Sequence, residues 1–327
     1  MRALRVHRLK PQFAGVRLEC APWPVPGAGQ VRIAVAAASL NFPDLLLTRG
    51  EYQMKPEPPF TLGGDLAGTV ESVGPGVADW RPGDRVWGLG LGCFGDMAVL
   101  PGASLGHWPA GLSASEGAAF GAAYMTAYVA LVDRAAIRPG EWVLVNGAAG
   151  GMGLAAVDLA RALGARVIAV SSSPAKRARI GEIYAPDHIL APGPDLVERV
   201  KDISGGGVDI VFDPVNGDAF EQGIKALGFG GRFLVIGFTS GEKNSLRSNV
   251  ALIKSLSLIG VRAGEYGRRH PGRRHEIAAD LERLVAEGAI RPHVDATFPL
   301  EKWRDAFERM ERREAVGKIV LTIGKEG

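Results

Sequence analysis

Cysteine is almost missing from this chain. Cys20 and Cys93 are the only two among 327 residues, too few and too far apart for a disulfide framework or a thiolate metal cluster. No apolar run reaches the roughly 18 residues that crossing a bilayer requires. An excess of either charge is lacking too, and a net charge of +3 argues for neither nucleic acid nor an anionic membrane as partner. Met1 to Arg5 passes straight into an alternating strand pattern without an apolar signal core, so a reducing cytoplasm is the expected location. The six histidines are scattered, and none stands at metal-ligand spacing to another beside a cysteine. His270 and His275 lie in a basic run that reads as a solvated loop.

Glycine, by contrast, is plentiful at 45 residues, mostly in short loops, which implies many tight turns and close backbone approaches. A hydrophobic share of 46% with 22% charged residues excludes disorder. The length exceeds one typical core, so two domains are expected.

Residues 1 to about 120 read as short strands broken by turns, with Pro22, Pro24, Pro26, Pro75, Pro82 and Pro101 as punctuation. The pattern changes near residue 113. Ser113 and Glu116 have the spacing of a capping box, and an alanine-rich helix is expected from there to about Arg134. Strands then alternate with helices. The strands are expected at 142–146, 166–170, 208–213, 232–237 and 256–261, and the helices at 151–163, 175–183 and 219–227. Apolar strands with helices between them imply a parallel sheet covered on both faces. Two further helices, 276–287 and 300–312, precede a closing strand, 318–323, expected to return to the first domain. The expected division is therefore a catalytic β domain over 1–120 completed by about 290–327, a nucleotide-binding domain over 121–265, and a return segment over 266–327.

The most specific signal runs from Val143 to Gly153 and contains Ala148, Gly150, Gly151, Met152 and Gly153. It follows a buried strand and opens a helix, the context that a dinucleotide fingerprint needs. Gly150 lets the backbone approach a pyrophosphate, Gly153 lets helix and strand pack closely, and the helix N-terminus offers free N–H groups. Ala148 stands where the pattern usually has its first glycine. Dinucleotide choice rests on the end of the second strand, where an NAD enzyme usually carries a carboxylate. Here Ser171, Ser172, Ser173, Lys176 and Arg177 follow, and no acid occurs from 166 to 181. Hydroxyls and cations suit a 2′-phosphate, so NADPH is the expected cofactor.

Further motifs lie on both sides of the fingerprint. They are Asn41-Phe42-Pro43-Asp44, Tyr52, the glycine-rich run Gly63-Gly64-Asp65 through Gly74, the turn Gly83-Asp84-Arg85-Val86, Tyr124-Met125-Thr126-Ala127-Tyr128, Asp213-Pro214-Val215 and Gly317-Lys318-Ile319. With these the chain resembles the medium-chain dehydrogenase/reductase superfamily, and within it the zinc-free, zeta-crystallin-like quinone oxidoreductases. The resemblance spans essentially the whole sequence. It implies an α/β protein with a GroES-like β-barrel catalytic domain beside a Rossmann domain with a doubly wound parallel sheet. It also implies a homodimer. Zinc members have a Cys near Asn41 and a His-Glu pair within the glycine-rich motif, where the corresponding stretch of this chain is Gly63-Gly64-Asp65, so no metal is expected. The implied activity is hydride transfer from NADPH to a quinone or α,β-unsaturated carbonyl. Asn41 and Tyr52 are the implied catalytic residues, and Asn41, Thr126 and Lys318 the further cofactor contacts. Tyr52 either donates a proton or only shapes the pocket. Phe238, after a strand end, lines the nicotinamide side or packs as an ordinary loop residue. Asp44 and Asp65 are expected to be structural carboxylates that bond loop N–H groups or a nearby Arg. Two alternatives stay open. One is an enoyl-thioester reductase with coenzyme A phosphates on Arg268, Arg269, Arg273 and Arg274. The other is a non-catalytic NADPH-binding sensor or crystallin-like protein.

Overall fold

The computed structural model describes residues 1–324. The chain forms two compact units: Met1–Ala122 together with the segment from Ala278 onward, and Ala123–Ile277.

Among its described residues, the first unit holds a three-stranded and a seven-stranded sheet. The long strand Gln30–Ser39 organises the larger one. Its alternate residues Val31, Ile33 and Val35 are buried, as a pleat with a two-residue period demands. It pairs antiparallel with Asp65–Val73, Met97–Pro101 and Lys318–Thr322, and the last of these also pairs parallel with Val294–Pro299. Gly68 permits the tight pairing: a Cβ there would stand 2.3 Å from the Ala34 carbonyl oxygen.

The opening segment was expected to be all strand and turn, yet Phe42–Arg49 is a helix. Its cues are local. Pro43 sits in the first turn, the Asp44 carboxylate accepts the Asn41 backbone N–H at 2.7 Å, and Gly50 ends the helix at φ 73°, which glycine adopts without strain. Leu45 and Leu47 are buried on its inner side.

In the second unit six strands form one parallel sheet, in the order His188–Leu190, Arg166–Val170, Trp142–Val145, Val208–Asp213, Leu227–Val235, Ser257–Gly260. The order reverses between Trp142–Val145 and Val208–Asp213, where open α/β sheets take their ligands. The helices Gly151–Ala162, Pro174–Tyr184 and Asp218–Ala226 lie close to the expected bounds. The strand His188–Leu190 and the helices Leu196–Ser204 and Ser248–Lys254 were not expected; all three are short, although Leu196, Val200 and Ile203 do recur at helical spacing and pack on the core. The basic run read as a loop is instead the helix Ala263–Arg269 and the opening turns of the helix Pro271–Ala286, whose later part was expected. Pro271 opens the second, at a position where the missing N–H costs nothing.

Candidate functional site

Two groups of residues carry chemistry, one in each unit. The first is the loop between Val145 and the helix Gly151–Ala162. Ala148 is buried and donates its N–H to the Val170 carbonyl at 3.0 Å, and Gly147 turns the chain at φ 57°. Gly150 is the N-cap, so the N–H groups of the first turn, from Gly151 and Met152 onward, point out of the helix without intrahelical partners. The glycines differ in kind. A Cβ on Gly153 would lie 2.5 Å from the Gly147 oxygen and 2.9 Å from the Ala148 Cα, whereas one on Gly150 would meet nothing closer than 3.5 Å. Internal packing therefore demands Gly153. The fold itself does not demand Gly150, and an approaching pyrophosphate would.

Buried polar groups steady this loop. Asn146 donates to Asp213 at 3.3 Å and to the Ala219 carbonyl at 3.1 Å, bridging the strand ends where the sheet order reverses. Asp213 also accepts the backbone N–H of Val215 at 3.0 Å and of Asn216 at 3.1 Å. Tyr124 donates to Asp158 of the fingerprint helix at 2.6 Å. Thr126, on the same helix as Tyr124, is half-buried.

At the end of the strand Arg166–Val170, Ser171 is buried and Ser172 exposed. Ser173 caps the next helix, its hydroxyl accepting the Lys176 N–H at 3.4 Å. Arg177 turns back and donates to the carbonyls of Ser171 and Ser172 at 2.9 and 2.8 Å. It thus buttresses the turn in which Ser172, Ser173 and Lys176 stand. Phe238 is 42% exposed in the loop after Leu227–Val235. These residues fit a dinucleotide: a close-approach glycine, first-turn donors, and hydroxyls and cations without a carboxylate.

The second group lies in the first unit and gathers residues 39 to 318. Lys318, the first residue of its strand, is 6% exposed. Its Nζ donates to the Asn41 Oδ1 at 2.6 Å and the Leu40 carbonyl at 3.2 Å, and stands 3.6 Å from the Asp65 Oδ2. The same Asp65 oxygen accepts the Ser39 hydroxyl at 3.0 Å and the Ala122 N–H at 3.3 Å. Of the expected partners, loop N–H groups or a nearby Arg, Asp65 takes a backbone N–H, from Ala122, and the cation beside it is a lysine. Lys318 was expected to contact the cofactor; its ammonium is directed at these three oxygens.

Burial dominates the electrostatics. It pushes the Asp44 carboxyl up to about 7 and that of Asp65 to about 6, against the pull of Lys318, and it lowers Lys318, with both carboxylates opposing. Cys93, with its thiol on the Gly90 carbonyl at 3.0 Å, is pushed well above its ordinary range by burial and then by Asp65 and Asp44. The donor set does not fit zinc. Asp65 pairs with the Lys318 ammonium and the Cys93 thiol lies on the Gly90 carbonyl, while catalytic zinc needs about three ligand side chains. Among the described residues no group of three His, Cys, Asp or Glu stands at ligating distance.

A native Asp44 with a raised pKa keeps a proton that the unfolded chain releases above its ordinary value of 3.8. Stability from this residue therefore falls as pH rises from about 4 to about 7. Asp44→Asn stays neutral and still accepts the Asn41 N–H, so it gains on the parent by about 3 kcal/mol between pH 5 and 8. Denaturant melts at both pH values measure this. A difference independent of pH would mean that Asp44 is ionised in the fold.

Tyr52 follows the helix Phe42–Arg49, half-buried against the apolar core of its unit, and its hydroxyl makes no hydrogen bond among the described residues. The arginines proposed for coenzyme A are largely engaged. Arg268 and Arg269 bond Glu265, Arg273 bonds Asp133 and Glu276, and Arg274 is buried. Sequence reasoning missed Ser39 and Asn146, whose one signal was a polar residue closing an apolar strand.

Comparison with known proteins places the two units. Residues 27–129 match the alcohol dehydrogenase GroES-like domain, and residues 151–286 match the family described as zinc-binding dehydrogenase. Quinone oxidoreductase-like protein 2 of Mus musculus is 36% identical over 310 residues, covering 93% of this chain and 88% of its own. A mycobacterial protein solved in complex with NADPH aligns with a TM-score of 0.91 and 28% identity over 98% of this chain and 100% of its own. The JamJ enoyl reductase aligns at 0.89 and 27%, over 99% and 100%. No helix among the described residues is long and apolar enough to cross a membrane.

Proposed function

The chain belongs to the medium-chain dehydrogenase/reductase superfamily, and we propose that within it the protein is an NADPH-dependent oxidoreductase that reduces a quinone or an α,β-unsaturated carbonyl without a metal ion. The observation that carries the cofactor choice is the turn Ser171–Arg177. It offers hydroxyls and cations and no carboxylate beside the strand next to the fingerprint. In this reading the first-turn N–H groups from Gly151 to Gly153 hold the pyrophosphate, and Ser172, Ser173 and Lys176 hold the 2′-phosphate. Thr126 and Phe238 line the nicotinamide side. When bound, the nicotinamide supplies the hydride. Tyr52 donates a proton or hydrogen bond to the acceptor oxygen, and the Asn41 amide steadies the same oxygen. That the buried ammonium of Lys318 faces the Asp65 carboxylate supports the metal-free reading.

NADPH then binds at least tenfold tighter than NADH. Lys176→Ala weakens NADPH by about 1.5–3 kcal/mol, as for a charged hydrogen bond, and leaves NADH nearly unchanged. Fluorescence titration reads both. Equal affinities in the parent would sink the assignment.

NADPH oxidation with a quinone, an enone and a crotonyl thioester tests the substrate class. Turnover of the first two supports this reading. Thioester turnover alone supports an enoyl-thioester reductase, a reading that the enoyl reductase neighbour favours and the engaged arginines oppose. No turnover with any acceptor leaves a non-catalytic NADPH binder.

The assembly that goes with this reading is a homodimer. The strand Ser257–Gly260 ends its sheet, with Leu258, Leu252 and Ile253 exposed nearby in sequence, and such an edge invites pairing with a twin. Light scattering that returns a monomer mass of 34.5 kDa would set it aside. Cys20 and Cys93 are both free thiols, which accords with a reducing cytoplasm.

A further inference from the structure

An asparagine side chain has two unlike ends, an oxygen that accepts and a nitrogen that donates. Which end a bound molecule meets decides whether the residue steadies negative or positive charge. In Asn41 the protein makes that choice with Lys318. An ammonium donates three hydrogen bonds and accepts none, so the atom 2.6 Å from the Lys318 Nζ is the carbonyl oxygen Oδ1. The ammonium is itself held by the Leu40 carbonyl and the Asp65 carboxylate. Asp65 is fixed in turn by Ser39 and the Ala122 N–H. The Asn41 backbone is anchored separately, through its N–H to Asp44. The amide nitrogen is less committed: its contact to the Ser39 carbonyl is long, at 3.4 Å. Asn41 is half-exposed, so what it offers a bound molecule is a weakly engaged N–H.

We propose that Lys318 is a positioning residue that fixes the Asn41 amide with its oxygen toward the buried ammonium, so that its N–H donates to the acceptor oxygen on which negative charge develops. Without Lys318 the amide is free to flip and present an oxygen, which would repel that charge. This role rests on the reductase reading above and assigns Lys318 an action through Asn41.

Lys318→Met keeps the length of the side chain and removes its donors. Expected is a kcat for quinone or enone reduction lower by about 10–100-fold, below the full cost of losing one such donor, with KM and NADPH affinity within twofold of the parent. Asn41→Ala loses at least as much, and the double variant loses no more than Asn41→Ala alone, because both act through one amide. Lys318→Arg, which still donates, recovers part of the rate. Should Lys318→Met fold poorly with Asp65 unpaired, Lys318→Met/Asp65→Asn restores neutrality and is compared with Asp65→Asn. An unchanged kcat, or losses that add across the double variant, overturns the proposal. If the parent oxidises NADPH with none of the three acceptors, the functional reading fails, and the side-chain amide resonances of Asn41 in 15N-labelled protein decide this inference. They shift and exchange faster in Lys318→Met if Lys318 holds the amide, and identical signals in both proteins refute it.

Discussion

Replacing Tyr52 with phenylalanine lowers kcat for an enone by about 10²–10⁴-fold, the range of general acid catalysis, while NADPH affinity holds. The enolate left after hydride addition is basic and needs a proton, and a phenol is protonated near neutral pH. Tyr52 is half-buried and its hydroxyl makes no hydrogen bond among the described residues, so none of them competes for it. Two other acids of its unit are otherwise placed: Asp44 is buried on the Asn41 N–H, and Asp65 on Ser39 and Ala122. Quinones suffer less, because their reduced oxygens are better stabilised and water can protonate them. Single-turnover rates with both acceptor types read the effect. A rate within twofold of the parent on both would make Tyr52 a pocket wall, leaving catalysis to positioning.

Gly150 and Gly153 separate by opposite outcomes. Gly150→Val leaves the melting temperature within a few degrees, since the nearest atom to a Cβ there is 3.5 Å away and the backbone φ is −71°. It weakens NADPH about 100-fold or more, because the side chain stands where the pyrophosphate approaches the helix N-terminus. Gly153→Ala does the reverse. Its methyl meets the Gly147 oxygen at 2.5 Å and the Ala148 Cα at 2.9 Å, backbone atoms that cannot rotate aside, and the strain costs about 3 kcal/mol of stability. Thermal melts with NADPH titrations check both. Tight NADPH binding by Gly150→Val would remove the fingerprint from the cofactor site.

What the sequence by itself determined were the features encoded within a dozen neighbouring residues. Strand, glycine loop and helix at 142–162 were legible because each needs only its own apolar pattern and turn residues. The Ser113–Glu116 cap was legible for the same reason, and the structure makes it in both directions. The helix Phe42–Arg49 had its cues in view, Pro43, Asp44 and Gly50, but they stood among so many turn residues that the segment read as loop. The start of the helix Pro271–Ala286 was hidden because its basic first turn resembles solvated coil. Tertiary structure alone decided the partners of Asp65 and Asn41. Lys318 lies more than 250 residues away along the chain, and it reaches them because its strand pairs antiparallel with Gln30–Ser39. A hydrogen bond acts over about 3 Å in space and is blind to distance along the chain. The residues could therefore be named in sequence, but the direction in which each side chain spends its hydrogen bonds was set by the fold.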